Sequence, residues 1–354
     1  MNIYIQGTGC VSPQATATEG PFPAAVIPWQ GARLKNWDPD YKQWIDVKLI
    51  RRMGRVIKMG VASAKLSLQE AGIEKPEAII TGTAYGCLDD TGVFLTKMIN
   101  QQEELLTPTA FIQSTHNTVA GQIALMLGCH GYNNTFVHKG FSFENALLDS
   151  IMILREGRTG SILAGAMDEL TDHSFKILSR FDLYKKEPVT QDSLLRSNTH
   201  GTVAGEGAAS FVLGTEKGAH TKAKLSGLTT LYRPAGKAEI MADIEAFLAA
   251  HSCNREEISL IITGRNGDVA GDEWYEHVEN NLLPEIPVAC FKHLCGEYPT
   301  ASAFAMWMAC RILAEQAVPA SAMFKGNVKG KQQKILIYNH HKQTHHSLIL
   351  LSAC

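Results

Sequence analysis

The 354 residues predict a layered α/β protein built from two copies of one strand–helix unit, with mixed sheets. Three observations carry this. Residues 131–157 read as a short β-prone strand, a glycine elbow at Gly140 and a buried helix, with Phe143, Ala146, Leu147, Ile151 and Leu154 at helical spacing. The tetrapeptide Ile-Ile-Thr-Gly occurs at 79–82 and again at 261–264, each time after a helix end and a charged turn and before a glycine loop. The same spacing, within two residues, carries Phe111–His116 onto Phe291–Gly296, each ahead of an alanine-rich helix.

The elements follow in order. The chain starts directly with a strand over residues 1–13. A helix ends near Ala71-Gly72-Ile73, and the strand 78–82 follows it. The strand 134–137 leads through Gly140 into the helix 142–155, and the strand 161–168 comes at once after that. The link between the halves is expected near Lys217 to Lys224, dividing the chain at 1–220 and 221–354 with one shared core. Residues 254–267 then repeat the grammar of 71–86.

Composition narrows the class. At 45% hydrophobic the chain can bury a large core, and a net charge of −2 points neither to nucleic acid nor to an acidic membrane. Its eight cysteines are scattered without a C-x-x-C pair, which suits reduced core thiols better than disulfides or zinc. With no signal-like start and no apolar run of membrane length, a cytoplasmic protein is expected.

The elbow is where chemistry is expected. Free N–H groups at a helix start stabilise a thiolate and a developing oxyanion, so enzymes often place a nucleophile there. Here the position is glycine.

Several segments together resemble the β-ketoacyl synthases, which have the thiolase fold. Thr135–Gly140 is similar to their nucleophile segment, with Gly140 where the catalytic cysteine stands. Residues 1–13 are similar to their opening strand, Arg51–Arg55 with Ala71–Ile73 to their first helix, and His200–Ala208 to their Gly-Glu-Gly-Ala loop. The resemblance implies a duplicated five-layer α-β-α-β-α architecture and no cofactor.

It also implies a damaged active site. Family members use two histidines to stabilise an enolate. At the first, the strand runs into Thr263-Gly264-Arg265-Asn266 without a histidine. At the second, Lys292 and Gly296 match the motif but Glu297 replaces histidine, and an ionised carboxylate cannot donate a hydrogen bond. The family's glycine-rich gating loop with its phenylalanine aligns with Asn339–His345 and retains neither feature.

The pattern therefore resembles the chain-length factors, non-catalytic partners of ketosynthases in polyketide pathways, with aryl-polyene and flexirubin-type factors the nearest in form. That implies a catalytic ketosynthase partner, an acyl carrier protein, and pairing through the strand 133–138. Phe111, His138, Phe141 and Phe143 are the implied tunnel or interface residues. The chain is shorter than a ketosynthase between Leu228 and Ala238, which puts in doubt an acyl tunnel of its own.

Competing expectations stand beside this one. Cys295 or Ser142 is a relocated nucleophile in a divergent acyltransferase, or the chain is a homodimeric acyl-binding protein. His340, His341, His345 and His346 are expected to face solvent rather than hold a metal. His116 and His138 are expected to be hydrogen-bonded core or interface residues. Lys48, Arg51, Arg52, Arg55 and Lys58 form a basic helix that receives an acidic carrier protein or is simply a solvated face. Gly205-Glu206-Gly207 is assigned to packing.

Overall fold

The computed structural model describes the chain except residues 19, 24, 107 and 283. The first half contributes strands β1 (Ile3–Val11), β2 (Ala78–Gly82), β3 (Asn133–Phe136), β4 (Ser161–Asp168) and β5 (Gly207–Gly214). The second contributes β6 (Ala223–Tyr232), β7 (Ile258–Thr263), β8 (Val288–Cys290), β9 (Lys334–His341) and β10 (His345–Ser352). The spatial order is β3-β2-β4-β5-β1 in one half and β8-β7-β9-β10-β6 in the other, where a short strand, Met323–Lys325, edges β8. In both halves the second strand runs parallel to the third and fourth, while the fifth is antiparallel to its neighbours. The duplication is thus explicit, and both copies of Ile-Ile-Thr-Gly end the second strand of their unit. The two sheets are stitched where Ile3–Ile5 of β1 pairs with Ala223–Leu225 of β6.

Alternation along the strands creates the layers. Ile80, Ile162, Ala164, Leu260, Ile262, Ile335, Ile337 and Ile349 point into one central core. Two helices fill that core, α3 (Ser142–Arg155) and α6 (Ser302–Glu315). The neighbours Ile79, Leu163 and Met167 face outward onto α1 (Arg55–Ala71) and α2 (Thr118–Leu127). On the other outer face Ile261, Leu336 and Leu348 meet α4 (Lys237–Ala250) and α5 (Val269–Asn281). The result is helix, sheet, helix, sheet, helix. Helix α1 lies so close to β1 that a Cβ at Gly7 or Gly9 falls 2.1 Å from the carbonyl oxygens of Ser67 and Ser63.

The topology corrects one repeat assignment. Phe291–Gly296 follows the third strand of its unit and precedes the central α6, so its counterpart is 137–142 before α3, not Phe111–His116. Two extra helices, Leu88–Asn100 and Pro108–Gln113, lengthen the first β2-to-β3 crossover, and a fixed spacing could not see through them. Among the described residues no helix is long and apolar enough to cross a membrane.

Candidate functional site

The third strands of both units end at the same place, so the Gly140 elbow and the Lys292–Glu297 segment converge there. After β3 the chain turns through Lys139, whose φ of 50° is left-handed, and enters α3. The turn is held by Ser142: its hydroxyl donates to the Lys139 carbonyl at 2.9 Å and accepts from the His138 N–H at 2.8 Å. Ser142 is fully buried and acts as a structural clamp, with no base on its hydroxyl.

Gly140 has no room for a side chain. An added Cβ falls 2.7 Å from the Cβ of His341 and 3.0 Å from that of His345. These two histidines face each other across the β9–β10 hairpin, whose turn residues Lys342 and Gln343 both have positive φ (53° and 56°). The hairpin tip is therefore driven into the elbow.

The expectation that the four terminal histidines face solvent is overturned, since His340, His341, His345 and His346 are all buried. Strands β9 and β10 are interior strands of the sheet, covered on both faces, so alternate positions have no water to reach. The His340 ring stacks on Tyr275 with centroids 4.3 Å apart, and its Nε2 donates to the Gly271 carbonyl at 2.9 Å. His345 Nδ1 meets the Thr344 hydroxyl at 2.8 Å, and His346 Nδ1 meets Tyr338 Oη at 3.0 Å. Burial pushes His345 and His346 down to about 4, so both are neutral at ordinary pH.

Gly264 is equally closed, because a Cβ there falls 2.3 Å from Asn339 Oδ1 and 2.5 Å from Tyr275 Oη. Tyr275 and Asn339 occupy the space beside this strand end. At the other motif, Lys292 Nζ lies 2.6 Å from Glu297 Oε2 and donates to the His340 carbonyl at 3.0 Å. Glu297 also accepts from Asn266 Nδ2 at 2.7 Å and pairs through Oε1 with His341 Nδ1 at 3.1 Å. Burial works to raise the Glu297 carboxyl, but the Lys292 ammonium and the His341 contact win and hold it at about 2. His341 shifts down because burial outweighs its bond to Glu297. Glu297 is thus ionised and His341 neutral, which puts the imidazole proton on Nδ1.

The remaining candidates scatter. Cys295 is fully buried in the central core, its thiol is pushed well up by burial, and it donates to the Gly296 carbonyl at 3.3 Å. Such a thiol is protonated and inert. Phe141 packs edge-on against His345 with centroids 4.6 Å apart. Phe143 lies wholly inside the central core against Phe211, so it cannot touch a partner. Phe111 is exposed on its short helix, with its ring 5.3 Å from Phe94. His138 is exposed, with Nδ1 2.8 Å from Asn145 Nδ2. His116 is exposed and packs over Gly86 rather than in the core.

The basic helix is also corrected. Lys48 belongs to a short helix, Val47–Ile50, and the turn carrying Arg51 and Arg52 separates it from α1. Arg55 turns inward to pair with Glu206 and Asp38, leaving Lys48, Arg51 and Arg52 exposed. Glu206 is fully buried and accepts from the N–H groups of Asn36 and Leu170, both at 2.9 Å, so it ties three segments together.

A cavity of about 290 Å³ reaches this region, lined by Tyr85, Tyr184, Glu297 and His341 among others. Gly140 does not line it, because His341 and His345 stand over the elbow. Sequence reasoning missed Asn266, Tyr275, Asn339 and the His341–Glu297 pair. The pair joins residues 44 apart on different elements, which no local pattern records.

A family model described as "Beta-ketoacyl synthase, N-terminal domain" matches residues 28–219, just over half of the chain. Among curated proteins no sequence matches. Solved structures match throughout. The ishigamide ketosynthase/chain length factor superposes with a TM-score of 0.78 at 18% identity, covering 100% of this chain and 99% of the other. A β-ketoacyl synthase from Burkholderia phymatum STM815 gives 0.79 at 16% identity, covering 100% and 99%. The ketosynthase ApeO in complex with its chain length factor ApeC, from Xenorhabdus doucetiae, gives 0.77 at 14%, covering 100% and 98%. The duplicated layers are thus those of the thiolase-like ketosynthases, and with its N-terminal half matching their family model, the chain belongs to the β-ketoacyl synthase family.

Proposed function

We propose that this chain is a chain-length-factor-like homologue that makes no carbon–carbon bonds itself. It pairs with an active β-ketoacyl-ACP synthase subunit and shapes that subunit's acyl tunnel in polyketide, polyene or fatty-acid-like synthesis, with aryl-polyene pathways the narrower placement. The carrying observation is the filled elbow: no side chain fits at Gly140 while His341 and His345 stand over it. Losing a covalent nucleophile typically costs on the order of 10⁶ in turnover. The two positions that the resemblance gives to enolate-stabilising histidines are Gly264, walled in by Asn339 and Tyr275, and Glu297, paired with Lys292.

The pairing surface is the free edge of β3. Among the described residues β3 pairs only with β2, and Leu125, Tyr132, Val137, Leu148 and Met152 stand exposed around it. An unpaired edge beside exposed apolar residues is a template for sheet extension across a subunit interface. Phe111 projects from the neighbouring helix and, in this reading, limits product length in the partner. Lys48, Arg51 and Arg52 receive the acidic carrier protein. The complex is placed in the cytoplasm, and the two halves are read as 1–220 and 221–354.

The test is intact mass after incubation with an acyl-carrier-protein thioester. The expected result is no adduct on this chain alone and one on a co-expressed synthase; a stoichiometric adduct on Cys295 or Ser142 overturns the reading. Phe111→Ala lengthens the products of the complex, and unchanged products remove that role. A second reading, a homodimeric acyl-binding protein, draws on the cavity at Glu297. It predicts a stable homodimer that needs no partner, visible in sedimentation.

A further inference from the structure

The Glu297–His341 contact belongs to no ketosynthase step described above, yet it has the geometry of a general base. The carboxylate binds His341 at Nδ1, 3.1 Å away, and is itself anchored by Lys292 and Asn266. That fixes the tautomer and turns the other ring nitrogen into a lone-pair acceptor. His341 Nε2 has no protein partner among the described residues, is not sealed from solvent, and its ring lines the 290 Å³ cavity. The mouth of that cavity carries the exposed Asp182 and His200.

The cavity brings complementary chemistry. Tyr85 and Tyr184 line it, and burial raises both phenols, Tyr85 to about 12, so they are neutral hydrogen-bond donors. Leu170, Leu178 and Leu183 supply apolar wall. Among the described residues no cysteine or serine lines it, and the Thr202 hydroxyl there donates to the Asn266 carbonyl at 2.7 Å, so a base in the cavity has water as its nucleophile. The volume sits at the small end for ligand sites, which are about 300–1,000 Å³.

We propose that His341, positioned by Glu297, is the general base of a hydrolytic site for small acyl thioesters. His341 Nε2 takes a proton from water as the water oxygen bonds to the thioester carbonyl carbon. The phenols of Tyr85 and Tyr184 donate to the resulting oxyanion. On collapse the C–S bond breaks and the imidazolium returns its proton to the departing sulfur, leaving a free carboxylic acid and a thiol. Glu297 stays ionised throughout, and no acyl-enzyme forms. The activity goes beyond a silent partner's role, because it gives the subunit a way to clear short acyl groups.

The experiment uses the whole chain with the butyryl thioester of N-acetylcysteamine in isotope-labelled water, measuring free butyrate by mass spectrometry. The expected result is hydrolysis above background with one labelled oxygen in the acid. His341→Ala then loses about 10²-fold in kcat/KM, the usual share of a general base, and added imidazole restores part of it. Glu297→Gln lowers kcat with little change in KM and moves the acid limb of the pH profile to lower pH, which a purely structural role does not do. The groups facing His341 are Glu297, Lys292, Lys342 and the His345 ring, 6.4 Å away. Because burial depresses the His341 pKa, the wild-type rate rises below the ordinary histidine range and is flat at neutral pH. That profile keeps the test alive if a variant fails to fold. Butyrate release no faster than background, a His341→Ala rate equal to wild type, or a profile lacking the limb overturns the proposal.

Discussion

A Cβ on Gly140 falls 2.7 Å from the Cβ of His341, a separation that real side chains do not show. The elbow that begins α3 and the hairpin that ends the chain have taken each other's space. A side chain at 140 therefore requires the tip of the hairpin to move.

Gly140→Ala should destabilise the chain by about 1–3 kcal/mol, the usual cost of forcing atoms into a packed core. Gly140→Cys should behave similarly and gain no ketosynthase activity, because the thiol displaces His341 or His345. Urea unfolding and an elongation assay with the purified chain check both. A stable Gly140→Cys protein that condenses substrates would show that the elbow is not closed.

Lys292 is buried and joined at 2.6 Å to Glu297, whose side chain is 10% exposed. Lys292→Met leaves Glu297 without its cation and should cost about 3–5 kcal/mol. Adding Glu297→Gln removes the stranded charge and should recover much of that loss. A double-mutant cycle in urea measures the coupling, and additive losses contradict the pairing.

His346 makes stability pH-dependent. Burial holds its folded pKa at about 4, against roughly 6.5 in an unfolded chain. The folded state then binds fewer protons, so this contribution is complete above about pH 6.5 and lost as pH falls through 4. Glu169, raised by burial to about 7, and Asp272, raised to about 6, titrate with the opposite sign, so the whole-protein profile mixes them. His346→Phe removes the titrating imidazole while keeping a ring beside Tyr338 and Trp274. The stability of wild type relative to this variant should fall between pH 6.5 and 4; a constant difference argues against a neutral buried imidazole.

Leu148 and Met152 are about half exposed on α3 beside the free edge of β3. Leu148→Asp and Met152→Asp together should abolish co-purification with the catalytic subunit. Each leaves the chain's own stability within about 0.5 kcal/mol, as for other surface changes. Retained association moves the interface elsewhere.

Several elements were legible from local pattern. The helix Ser142–Arg155 and the strand Ser161–Asp168 lie where helical spacing and the apolar run put them, and the strand before the elbow is off by a residue. Ile-Ile-Thr-Gly marked equivalent strands because a buried parallel strand needs apolar residues on both faces. Phe111–His116 was misaligned because two inserted helices changed the crossover length without changing the topology.

The chain by itself determined which groups are present: glycine at the elbow, glutamate at 297, and no histidine in the segment 264–272 that follows Thr263. Those are one-dimensional facts, readable once the order of motifs is recognised. Only the tertiary structure decided what fills the gaps. Interior strands buried the four histidines that composition alone sends to solvent. The hairpin brought His341 to Glu297, and the pairing with Lys292 made that glutamate an anion rather than a buried acid. Contacts between residues far apart in the chain, and the desolvation that sets their charges, exist only after the layers have closed.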